Sequence, residues 1–131
     1  MIRLSRASWA AAFVLLAACS DGPSPPPPIK GGPVRLVLQA PQFDIGAVMI
    51  RVNGPVDSVT APTGYVMSRA PVGVSAQRIV VAGNIANGDL VTLWIPDLEQ
   101  VGIYSTFVEQ AASRLTYALY DPSGFSLLLV K

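Results

Sequence analysis

The chain has 131 residues, nine Lys and Arg against eight Asp and Glu, no His and a single Cys; hydrophobic residues make up 51% and charged residues 13%. That length accommodates one small domain plus terminal segments, and that composition excludes a mainly disordered chain or a basic nucleic-acid-binding surface. Without His and with one thiol there is no imidazole base, no Cys/His metal cluster and no intramolecular disulfide, which removes most well-marked catalytic constellations.

Met1 to Ser20 reads as an export signal. Arg3 and Arg6 precede an apolar run from Ala7 to Ala18, followed by Cys19. The run is too short for a bilayer span of ~20 apolar residues and fits the hydrophobic region of a secretory signal. Leu16-Ala17-Ala18-Cys19 resembles the lipobox of bacterial lipoproteins. The resemblance implies cleavage between Ala18 and Cys19, a diacylglyceryl group on the Cys19 thiol, and, from Ser20, delivery to the outer membrane. Lipidation would also use up a thiol that otherwise stands free in an oxidising compartment. The expected location is the cell envelope, with the chain held through Cys19 by acyl chains worth ~0.8 kcal/mol per buried methylene.

Residues 19–33 form the expected tether. Ser20 to Pro33 holds six of the twelve prolines and three of the eleven glycines, so Pro25–Pro28 should extend as polyproline II at ~3.1 Å per residue, with Gly31-Gly32 as a flexible joint. The folded domain is expected over 34–131, with a net charge of −1, which attracts neither nucleic acid nor an anionic surface.

Within that domain, short runs of Val, Ile, Leu, Thr and Tyr are separated by Gly, Pro, Asn and Asp, the pattern of an all-β chain. Strands are predicted at Val34–Leu38, Ile45–Val52, Val56–Thr60 and Gly64–Ser68, the last two at sheet edges because prolines lie beside them. Gln77–Gly83 and Asp89–Ile95 flank Asn84-Ile85-Ala86-Asn87-Gly88, whose Asn-Gly predicts a hairpin. Over Leu98–Ser113 helical and strand periods conflict; β-branched Ile103, Thr106 and Val108 favour a strand near Ile103–Gln110, with a helical turn at Ala111–Ser113. Leu115–Tyr120 and Phe125–Val130 flank Asp121-Pro122-Ser123-Gly124, predicting a second hairpin with Gly124 left-handed. Eight or nine short strands in this length indicate two antiparallel sheets packed face to face. Trp94, Phe43, Tyr65, Tyr104, Phe107, Tyr117, Tyr120 and Phe125 are expected in the core or on sheet surfaces rather than as a ligand platform.

Gly46-Ala-Val-Met-Ile-Arg-Val-Asn-Gly54, Gln77-Arg-Ile-Val-Val-Ala-Gly83 and Asn87-Gly-Asp-Leu-Val-Thr-Leu93 together look like the strand order of cohesin-like modules. The resemblance covers Val34 to Ile95 and implies a jelly-roll-like β-sandwich. It rests on patterning, so it carries over no binding residue, and a lone tethered domain departs from the multi-module scaffolds of that family. Asp97 and Glu99 are the nearest approach to a carboxylate pair, and Asp44, Asp57, Asp89, Asp97 and Glu99 are the hard-oxygen candidates for Ca²⁺, without the ligand spacing of a known loop. No cofactor and no catalytic residue are expected. The expected function is a non-enzymatic binding or adhesion module of the envelope with a protein or glycan partner; the alternative is a structural or assembly lipoprotein without a discrete ligand.

Overall fold

Alternation is the organising signal. In the run from Ile45 to Asn53, Ile45, Val48, Ile50 and Val52 are buried while Ala47, Met49 and Arg51 are only partly covered. Such a period places one set of side chains on each face of a strand. The computed structural model describes residues 24–131; the expected signal segment, Ala18 and Cys19 lie outside the described residues. Nine strands follow in order: β1 (Gly32–Gln39), β2 (Ile45–Asn53), β3 (Ser58–Thr60), β4 (Val66–Val72), β5 (Ala76–Ile85), β6 (Gly88–Ile95), β7 (Ser105–Ser113), β8 (Leu119–Tyr120) and β9 (Ser126–Val130), with short 3-10 helices at Leu98–Ile103 and Pro122–Gly124.

The strands form two antiparallel sheets, ordered β3-β6-β1-β9 and β4-β5-β2-β7-β8. The core lies between them, built from Val34, Leu36 and Leu38 with Leu90, Val91 and Leu93 on the first sheet, and from Ile45, Val48, Ile50 and Val52 with Ile79 and Val81 on the second. Each such side chain, fully buried, contributes roughly 1.5–3 kcal/mol. The expected all-β sandwich is therefore the observed fold. The runs predicted at edges, now β3 and β4, do lie at edges, and β4 carries Pro71 where no neighbour requires its missing N–H.

Neither predicted hairpin exists. β5 pairs with β2 and β4 whereas β6 pairs with β1 and β3, so Ala86-Asn87 carries the chain from one sheet to the other. Asn87 does not adopt positive φ; instead its side-chain amide meets the Ala40 backbone twice, Oδ1 accepting from Ala40 N at 2.8 Å and Nδ2 donating to Ala40 O at 3.0 Å. In this way Asn87 ties the β5–β6 crossing to the β1–β2 crossing. Likewise β8 pairs with β7 and β9 with β1, and Gly124 is not left-handed: the turn is a 3-10 helix capped by Asp121, whose carboxylate accepts from Ser123 N at 3.0 Å. True hairpins join β4 to β5 through Gly73-Val74-Ser75, with Gly73 at φ 69°, and β7 to β8.

Over Leu98–Ser113 the helical turn comes first and the strand runs on through Ala111–Ser113, where a helical turn was expected. The conflicting period has a cause. Met49 pairs with Gln110 but Ile50 pairs with Val108, so Glu109 is the extra residue of a β-bulge and the inward positions Val108 and Ala111 are three apart. Gly31-Gly32 is not a flexible joint either. Leu98 N donates to Lys30 O at 3.0 Å, Gly32 is already in β1, and a Cβ on Gly31 would lie 2.9 Å from Ile95 O.

Candidate functional site

The carboxylates named from the sequence are spread over the molecule, and three of them, Asp44, Asp89 and Asp97, are engaged in holding the fold. Asp97 caps the Leu98–Ile103 helix, accepting from Glu99 N at 3.0 Å, and Glu99 itself is exposed, so the two do not face each other as an acid–base pair. Asp89 pairs with Arg35 at 3.1 Å on the outer face of the four-stranded sheet. Asp57 is exposed beside a cleft of about 440 Å³ at one end of the sandwich, where Arg69 and Gln77 donate to the Asp57 and Val56 carbonyls. Asp44 lies in the β1–β2 connection and accepts from the hydroxyls of Ser113, at 2.6 Å, and Tyr120. Those two hydrogen bonds, Ser113 first, hold the Asp44 carboxyl below the usual carboxylate range, while the Asp44 bond and burial push the Tyr120 phenol up. Among the described residues no three acidic side chains gather around a common point.

The aromatic residues divide. Phe125 is buried, Tyr65, Tyr104 and Tyr120 pack against the core, and Phe43, Trp94, Phe107 and Tyr117 are exposed. Burial pushes the Tyr104 phenol up, reinforced by Asp57 and Asp97, and its hydroxyl donates to Pro55 O.

What remains unexplained by folding is the outer face of the five-stranded sheet. Strand register places Val66, Ala82, Ala47, Ala112 and Leu119 in one row across all five strands. Beside it run Ser68, Val80, Met49 and Gln110. Three alanines in the middle of the first row, with Val66 73% and Leu119 68% exposed at its ends, make a floor between walls. Two shallow hollows of about 90 and 270 Å³ meet at Ala47 and Ala112, and Tyr117 and Arg114 line the second. Tyr117 is the one non-glycine residue at positive φ among the described residues, 60°, and its ring is 83% exposed.

One end of this apolar floor is charged. The bulge puts both Glu109 and Gln110 between the inward positions Val108 and Ala111. Glu109 consequently sits between Arg78, whose Nε donates at 2.8 Å, and Arg51, whose Nε approaches to 3.2 Å without the alignment of a hydrogen bond. Partly exposed pairs of this kind contribute at most about 1 kcal/mol each. Their larger effect is on charge: one carboxylate against two guanidiniums leaves the end of the floor positive. Sequence reasoning missed this face. The outward phase was legible in Ala47-Met49-Arg51 and Arg78-Val80-Ala82, but in β7 the bulge puts Gln110 outward directly after Glu109 and breaks the alternation.

Comparison with protein-family models, with curated proteins and with solved structures finds no match for this chain.

Proposed function

We propose that the protein is a lipid-anchored, non-enzymatic binding module of the bacterial cell envelope. The outer face of the five-stranded sheet is its binding surface, and a protein segment with apolar side chains and an acidic flank is its partner. The carrying observation is the uninterrupted row Val66–Ala82–Ala47–Ala112–Leu119, backed by Met49 and Val80. Contiguous apolar patches are uncommon on proteins that remain single in water and tend to mark interaction sites. Small side chains along the floor allow a partner's backbone or apolar side chains to approach closely, and the surplus guanidinium at Arg51 and Arg78 favours a partner carrying Asp or Glu at that end. The apolar floor suits a protein better than a glycan. The anchor is the lipobox reading of Leu16–Cys19, with Cys19 as the acylated residue and the outer membrane as the destination.

The test is crosslinking in intact envelopes, comparing the unmodified chain with Ala112→Arg and with Thr92→Arg, which lies on the outer face of the opposite sheet. A protein partner captured by the unmodified chain and by Thr92→Arg but lost with Ala112→Arg supports the surface; capture indifferent to Ala112→Arg overturns it. The anchor is tested separately, by the mass of the mature N-terminus: an unmodified Cys19 thiol overturns the lipoprotein reading.

A further inference from the structure

The sandwich has four sheet edges among the described residues, and three are blunted. β3 has three residues and β8 two, too short to template another strand, and β4 carries Arg69 and Pro71. Short length, charge and proline are the usual protections of an exposed edge. β9 has none of them. Its sequence is Ser-Leu-Leu-Leu-Val, it is five residues long, and its pairing with β1 runs unbroken from Arg35–Val130 to Gln39–Ser126.

The side chains of β9 are also incompletely covered. Leu127 and Leu129 pair with Leu38 and Leu36, which are fully buried, yet both remain only partly buried. The facing sheet ends here in the two-residue β8, where Tyr120 packs against Phe125 with ring centroids 6.2 Å apart. On the outer face Leu128, next to Val37, is 49% exposed.

We propose that β9 is a self-association edge. Two copies of the chain join antiparallel through Ser126–Val130, with the two-fold axis at Leu128, into one continuous eight-stranded sheet. The occupant follows from complementarity. In this register Leu127 lies opposite Leu129 of the partner subunit, so that each copy covers the leucine surface the other leaves partly exposed. Ser126 lies opposite Val130 of the partner subunit, and Val37 and Leu128 continue into Leu128 of the partner subunit as one apolar stripe. β9 carries no charge, so two copies meet without like charges opposed, whereas a charged foreign strand would leave its charge against Leu127 and Leu129. A two-fold axis makes the contact self-complementary and closed, so pairing stops at two. A five-residue edge gives a reversible dimer, whose population rises with concentration.

The test uses the full chain in detergent, by sedimentation and by oxidative crosslinking. The unmodified chain, with Cys19 as its one native Cys, controls for other disulfides. Expected are a concentration-dependent dimer and covalent dimers from Leu128→Cys well above those from the unmodified chain, from Val66→Cys and from Leu127→Cys, whose side chain does not meet its own copy. Leu128→Lys should remove the dimer with its far-ultraviolet circular dichroism unchanged. A monomer at every concentration overturns the proposal. So does Leu128→Cys crosslinking no better than Val66→Cys, or crosslinking in envelopes only to a different protein. Ala112→Arg should leave the dimer intact, so failure of the binding surface and failure of this edge are read separately.

Discussion

Asp44 joins three stretches of chain: its carboxylate holds Ser113 and Tyr120, and its carbonyl accepts from Arg114 N at 2.6 Å. Ser113 is 3% exposed, and its hydroxyl also accepts from Leu115 N and Thr116 N, each at 3.2 Å. Because these bonds favour the ionised carboxylate, folded Asp44 binds its proton less readily than the unfolded chain does. Its contribution is fully present above the ordinary carboxylate value of 3.8 and disappears as pH falls through the lower folded value. Tyr120 has the opposite sign. Its phenol is raised above 10.0, so its contribution is present below that value and fades as pH climbs through the folded one. Asp44→Asn should flatten the acid limb of a plot of denaturation midpoint against pH; an unchanged limb would show that Asp44 is not coupled to folding. At the crossing between the sheets, Asn87→Ala loses both bonds to Ala40 and should cost about 1 kcal/mol in denaturant unfolding.

At the scale of elements, the sequence disclosed which segments are strands far better than which strands pair. Asn87-Gly88 and Asp121-Pro122-Ser123-Gly124 reverse the chain as their composition requires. A reversal across the ~10 Å between layers, however, uses the same residue types as one across the ~4.8 Å between paired strands. Composition reports the turn and not the partner. Pro62, between β3 and β4, was more informative, because a missing donor is tolerated beside an edge strand. The bulge at Glu109 was hidden for a related reason: one extra residue makes a strand's inward positions imitate helical spacing. Gly31 shows the same limit. Read from composition, Gly31-Gly32 is a hinge; in the fold a Cβ there would meet the Ile95 carbonyl oxygen at 2.9 Å. Gly31→Ala should therefore destabilise by about 1–3 kcal/mol. Gly102→Ala, facing open space in the Leu98–Ile103 helix, should change stability by under about 0.5 kcal/mol when both variants are compared with the unmodified chain by calorimetry.

Across the whole molecule, the central strands pair with distant ones: β1 with β6 and β9, β2 with β5 and β7. Neither sheet can be completed before residues beyond β6 have arrived, because β7 and β8 complete one sheet and β9 the other. Loop closure over such separations slows folding, so refolding should take milliseconds to seconds. Both sheets should unfold in one transition seen alike by circular dichroism and calorimetry; two separated transitions would mean that the layers are independent. The bond from Leu98 N to Lys30 O also fixes where the preceding segment meets the sandwich. Were the chain moored at residue 19, the eleven residues to Lys30 could span at most roughly 40 Å when fully drawn out. The mooring line would enter at the pole of the sandwich bearing the Leu98–Ile103 helix. The opposite pole, with Phe43, Asn87 and Pro122–Gly124, would then lie farthest from that entry, and the alanine floor, on the flank between the poles, would stay clear of the line.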